Sequence, residues 1–187
     1  YLALPAVYAY EPLGAGFAKE EHAYVKGIQA NTWTEFIADE KHLDYMVYPR
    51  ALVVAETGWG PAGKNYDRFM KKLRVRLQAL DRQPVNFRIP EPIGLKDSIS
   101  YSNTIDISLQ PSVQGATIYY SMDGTEPDKK LSGTIKLSLT TKEPVVLKTI
   151  TVLPSGRKSA VYSASFKKAD PRIEWDSTTM RKLSANG

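Results

Sequence analysis

The chain has 187 residues, 42% of them hydrophobic and 24% charged, which is enough for one or two domains with a core of their own. Cysteine is absent, which excludes disulfides, zinc–thiolate sites and a cysteine nucleophile but does not fix a compartment. The net charge of +5 is uneven, with 12 Lys/Arg and 11 Asp/Glu in residues 1–95 against 13 and 9 in residues 96–187, and no Arg-rich helix gathers it into a nucleic-acid-binding face.

The sequence opens at Tyr1 with neither an initiator Met nor a signal segment, so a natural start upstream is expected, together with any targeting signal. No stretch has the roughly 20 apolar residues of a membrane-spanning helix. The first regular element expected is a short buried strand over residues 25–32 (VKGIQANT), a small and mostly apolar run. Helical spacing follows in Leu43, Met46, Val47, Ala51, Val54 and Ala55, with Pro49 bending or restarting the helix. After the glycine-rich loop 58–63 comes a cleaner amphipathic helix. Phe69, Leu73, Leu77 and Leu80 form its apolar face, and Lys71, Lys72, Arg74 and Arg76 read as its solvated side.

Pro84, Pro90, Pro92 and Gly94 mark a boundary, placed at 95/96, beyond which the period falls to two. Ile105, Ile107 and Leu109 alternate with polar neighbours, as do Ile118, Tyr120 and Met122, and Ile135, Leu137 and Leu139. Residues 145–152 and the trio Tyr162, Ala164 and Phe166 supply further strands, separated by turn pairs such as Asp123-Gly124 and Ser132-Gly133. Short alternating strands over residues 96–169 predict a small antiparallel β-sandwich of immunoglobulin or fibronectin III-like type. Of Tyr119 and Tyr120, one should face the core and the other solvent. Residues 170–187 read as a patternless polar tail.

The N-terminal half poses a structural problem. One buried strand with two or three helices cannot close a sheet, so residues 1–95 read as the last part of an alternating strand–helix architecture whose earlier units lie before Tyr1. An eight-fold barrel of that kind needs about 250 residues. In residues 29–35 (QANTWTE), Trp33 and Glu35 are two apart and would share one side of an extended strand. A Trp face beside a carboxylate suits a sugar, since the ring packs on the C–H face and the carboxylate accepts hydroxyl hydrogen bonds.

Residues 27–59 (GIQANTWTEFI, then HLDYMVYPRALVVAETGW) resemble the end of the catalytic barrel of glycoside hydrolase family 20, the β-N-acetylhexosaminidases. The matching positions are Gly27, Gln29, Trp33, Glu35, Pro49, Arg50, Ala51, Ala55, Glu56 and Trp59. Residues 115–127 (GATIYYSMDGTEP) and 156–159 (GRKS) are similar to the small C-terminal domain that follows such barrels in chitobiase-like enzymes. The resemblance implies the C-terminal portion of a (β/α)8 TIM barrel in residues 1–95, then the β-sandwich. It implies that Trp33 lines the pocket of a terminal N-acetylhexosamine and that Glu35 holds its C4 and C6 hydroxyls. Arg50, Glu56 and Trp59 fall at positions read as structural: a helix start, an internal polar contact and helix packing.

The family's catalytic Asp-Glu pair, its substrate-binding Arg and its Tyr-x-Asp pair sit on earlier strands, and none can be located here. The resemblance therefore implies a retaining exo-β-N-acetylhexosaminidase that works by substrate assistance, with no catalytic residue in this chain and no activity from the chain alone. Its partners would be the carbohydrate and the earlier part of the same enzyme, with no nucleic acid; its place would be periplasmic, at the cell surface or secreted. The alternative is a noncatalytic module whose sandwich binds carbohydrate or packs on a neighbouring domain; no aromatic row on the strands favours binding.

No cofactor is expected. His22 and His42 lack partners at metal-ligand spacing, and Asp123, Glu126 and Asp128 lack the spacing of a calcium loop.

Overall fold

A computed structural model describes residues 2–14, 16–60, 63–140 and 142–169; the polar tail expected at 170–187 lies outside the described residues. The chain forms two compact units. The first comprises the described residues of Tyr1–Pro90 together with Ser112–Ala116 and Leu153–Ser159; the second takes Glu91–Pro111, Thr117–Val152 and the described residues from Ala160 on.

The first unit is helical. Helix α1 spans Leu4–Ala9, a 3₁₀ helix spans Lys19–Tyr24, and α2, α3 and α4 span Glu40–Val47, Arg50–Trp59 and Tyr66–Asp81. Helices α2 and α4 start where a side chain satisfies a free N–H. Asp39 accepts from His42 N at 2.7 Å, and Asn65 accepts from Arg68 N at 2.8 Å. Pro49 separates α2 from α3, as its missing N–H and its ring demand.

The amphipathic helix forms as its spacing predicts. Phe69, Met70, Leu73 and Leu77 are buried, Lys71, Lys72 and Arg76 are exposed, and Arg74 is half-buried. Leu4, Tyr8, Val53, Phe87, Ile89, Val113 and Leu153 are buried with them in this unit. Tyr8 anchors α1, stacking on Phe69 at 5.1 Å, meeting Tyr66 edge-on at 5.3 Å and accepting from Asn65 N at 2.8 Å.

The strand expected over residues 25–32 does not form. The segment is irregular, with only Val25 and Ile28 half-buried. An apolar run becomes a strand when neighbouring strands take its N–H and C=O groups, and among the described residues the first unit contains no strand to pair with it.

The second unit is a two-sheet sandwich. Strands β1 (Ser98–Ser100), β3 (Thr117–Ser121), β4 (Lys129–Lys130), β6 (Val145–Val152) and β7 (Tyr162–Lys168) form one sheet in the order β1-β7-β6-β3-β4. Strands β2 (Thr104–Ile107) and β5 (Ile135–Ser138) form the other. All strand pairs are antiparallel except β1–β7, which is parallel and so corrects the all-antiparallel expectation. Asp97 helps set that pair by accepting from Ser165 N at 2.8 Å.

The period-two residues supply the core: Ile107, Leu109, Ile118, Ile135, Leu137, Leu139, Leu147, Ala164 and Phe166, drawn from both sheets. Met122 departs from its expected face, lying past the end of β3 at 38% exposure. Tyr119 and Tyr120 are both half-buried, with Tyr120 packed against the core, so neither is the solvent-facing ring expected. Two exposed lysines form β4 at one sheet edge, where charge discourages pairing with another chain.

Candidate functional site

The site residues read from sequence lie in the irregular stretch before α2. Ile28 ties this stretch to α3, because a Cβ on Gly58 would meet Ile28 Cγ2 at 3.2 Å. Gln29 Nε2 donates to Asn31 Oδ1 at 2.7 Å, bracing two exposed amides against each other. A turn closed by Ile37 N donating to Thr34 O at 3.0 Å then leads to Asp39, the cap of α2. Trp33 and Glu35 stand at this turn, Trp33 at 76% exposure and Glu35 exposed as well. They are not held on one face of a strand, because no strand is present.

Among the described residues no side-chain hydrogen bond or ion pair engages Trp33 or Glu35. A free indole face and a free carboxylate two residues apart can stack on a ligand ring and accept hydrogen bonds from it. Phe36, 91% exposed, adds a second open aromatic ring to the same turn.

The three positions read as structural behave differently from one another. Arg50 opens α3 and donates to Met46 O across the Pro49 break. Glu56 pairs with Lys72 of α4 at 3.0 Å, the polar contact expected of it. Trp59 was expected to pack, yet it is 86% exposed at the end of α3, on the rim of a groove lined also by Leu52, Ala55, Phe69 and Leu73. No group of three or more His, Cys, Asp or Glu among the described residues could hold a metal ion, and no described helix is long and apolar enough to cross a membrane.

Sequence reasoning missed one polar cluster. Arg157 Nη1 donates to Val85 O and Nη2 to Phe87 O, each at 2.7 Å, and the guanidinium lies 4.5 Å from the centre of the Phe87 ring. Burial pushes its pKa below the ordinary arginine value, against the opposing fields of Asp81 and Asp44. Beside it, Ser155 donates to Asp81 from its hydroxyl at 2.5 Å and from its backbone N at 3.2 Å. The only sequence signal was the GRKS match, which says nothing of what the Arg grips.

Residues 1–62 match the family model of the glycosyl hydrolase family 20 catalytic domain, and residues 96–163 match that of the chitobiase/beta-hexosaminidase C-terminal domain. The chain thus matches a part of the family 20 catalytic domain followed by the C-terminal domain. Trp33, Glu35, Arg50, Glu56 and Trp59 all fall inside the family 20 segment. A beta-hexosaminidase of Porphyromonas gingivalis is 34% identical over 172 residues, covering 90% of this chain and 22% of that protein.

A beta-hexosaminidase of Akkermansia muciniphila is 39% identical over 89 residues, 47% of this chain and 18% of that protein. An N,N'-diacetylchitobiase of Vibrio harveyi is 28% identical over 141 residues, 59% of this chain and 15% of that protein. The chain thus spans about a fifth of the length of these relatives. Fibronectin(III)-like modules of Clostridium thermocellum CbhA match 44% of this chain at 14% identity, with a TM-score of 0.27 that carries no argument about the fold.

Proposed function

We propose that this chain is the C-terminal portion of a retaining, exo-acting β-N-acetylhexosaminidase that releases terminal N-acetylglucosamine or N-acetylgalactosamine. The observation that carries the reading is the single 34% match to a beta-hexosaminidase, which runs through both the family 20 segment and the C-terminal domain. In this reading residues 1–95 are the end of a (β/α)8 barrel, and residues 25–35 become its last strand when earlier strands pair with them. Trp33 then forms one wall of the terminal-sugar pocket, and Glu35 accepts hydrogen bonds from the C4 and C6 hydroxyls.

The chemistry is substrate-assisted. The 2-acetamido carbonyl oxygen attacks the anomeric carbon as a general acid protonates the departing glycosidic oxygen; water then opens the cyclic intermediate with the same group as base. The Asp-Glu pair for those steps belongs to the earlier part of the polypeptide, so this chain shapes the pocket and does not move the protons. An enzyme with such a substrate fits a periplasmic, cell-surface or secreted place.

The test is hydrolysis of a chromogenic N-acetyl-β-glucosaminide and galactosaminide by the longer parent, with and without Glu35→Gln. The expected result is cleavage, with kcat/KM lowered about tenfold or more by the substitution, equivalent to about 1.4 kcal/mol. A parent inert on both sugars overturns the reading.

A further inference from the structure

A run of hydrogen bonds leads from Arg157 to the helix that follows the Trp33–Glu35 turn. The Arg157 guanidinium fixes two backbone carbonyls, those of Val85 and Phe87, and covers the Phe87 ring, which is 1% exposed. Asn86, between those two residues, is fastened to α2. Its backbone N donates to Asp44 Oδ2 at 3.0 Å and its side-chain Nδ2 to Lys41 O at 3.0 Å. Arg88 N donates to Tyr48 O at 3.1 Å, directly after α2.

Residues 85–88 are thus clamped on one side by Arg157 and bonded on the other to both ends of α2. That helix begins at its Asp39 cap, two residues beyond the turn that carries Trp33 and Glu35. Residues 85–88 belong to no strand or helix, so their backbone groups find partners through bonds of this kind. A planar guanidinium supplies two parallel donors, which a lysine cannot reproduce.

We infer that Arg157 is a positioning residue for the sugar-binding turn, acting through residues 85–88 and α2 to fix where Trp33 and Glu35 stand. The inference rests on the proposed hexosaminidase reading for its functional half, while its structural half stands without it. Ser155 provides an internal control, because it lies in the same loop and bonds to Asp81 at the end of α4 and, at 3.4 Å, to the Arg157 backbone N, but makes no bond to residues 85–88 or to α2. Loss of the Ser155 contacts should loosen the loop without releasing α2.

Two measurements test the proposal. Amide hydrogen exchange on the 187-residue chain should be faster over residues 37–48 in Arg157→Met, intermediate in Arg157→Lys, and unchanged in Ser155→Ala. In the longer parent, Arg157→Met should raise KM for a chromogenic N-acetyl-β-hexosaminide about threefold to tenfold, the range of coupling through such networks, with kcat within about twofold. Arg157→Lys should recover part of that loss.

Unchanged exchange over residues 37–48 in Arg157→Met overturns the inference, as does a KM rise in Ser155→Ala equal to that in Arg157→Met. If Arg157→Met does not fold, Arg157→Lys against Ser155→Ala decides on the same readouts. If the unsubstituted parent cleaves neither sugar, the enzyme reading fails separately, and the exchange pattern alone decides whether Arg157 holds α2.

Discussion

Thr125 hydrogen bonds twice to one oxygen of Asp123, from its backbone N at 3.2 Å and from its hydroxyl at 2.5 Å. The hydroxyl bond, followed by the backbone bond, pulls the Asp123 pKa below its ordinary 3.8. The folded state therefore favours the ionised form. Its contribution to stability is complete above 3.8 and is lost as pH falls through the lower folded value. The melting-temperature gap between the native chain and Asp123→Ala should hold constant from about pH 7 to about pH 5, then narrow below 3.8. A gap that widens in acid would show that the bonds favour the protonated acid instead.

The turn itself was readable from the Asp-Gly pair, and Gly124 takes φ 82°, the left-handed backbone such a pair supplies. The Arg157 cluster was not readable. Its acceptors are main-chain carbonyls 70 and 72 residues earlier, and a carbonyl carries no residue identity for a sequence pattern to detect. Trp33 and Glu35 stand out as candidates only through the W-x-E motif and its neighbours, whereas the exposure of Trp59 depends on what covers the end of α3, which spacing does not encode.

Elements were legible wherever burial on one face imposes a period. Strands β2, β5, β6 and β7 and helix α4 follow their alternation or helical stripe, because each is half in the core and half out, whereas β3 breaks its alternation at buried Ser121 and exposed Met122. Strands β1 and β4, three and two residues long, are too short to show a period, and partner strands alone define them. The run at residues 25–32 is the converse, with strand composition but no described partner in its unit.

The periodic residues should also dominate stability. Leu147 on β6 is fully buried at the centre of the sandwich, while its neighbour Val146 is 41% exposed on the opposite face. Leu147→Ala should lower unfolding free energy by about 2–5 kcal/mol in chemical denaturation. Val146→Ala should stay within about 0.5 kcal/mol, as expected for a surface change. Equal losses from both would mean that the observed register does not govern burial.

At the scale of the whole molecule, exposed apolar surface is unequally shared. The second unit leaves Ile99, Tyr101, Met122, Val146 and Val161 open around a closed two-sheet core. The first exposes Tyr24, Trp33, Phe36 and Trp59 at 76% or more, with Leu2, Tyr10, Leu13 and Phe17 open to lesser degrees. So much aromatic surface in one unit exceeds the scattered apolar residues a stable monomer tolerates, and water alone is a poor partner for it. The 187-residue chain should therefore bind a hydrophobic dye such as anilinonaphthalene sulfonate and associate as its concentration rises, which light scattering would follow. Replacing Trp59 and Phe36 with Ser should weaken both signals, whereas Ile99→Ser and Tyr101→Ser in the second unit should leave most of each in place. A dye-silent monomer across the concentration range would mean that the first unit closes over these rings in solution, and the barrel reading would lose its physical ground. Dye binding that follows the first unit's rings instead marks that unit as the face on which further chain, or a second copy, must pack.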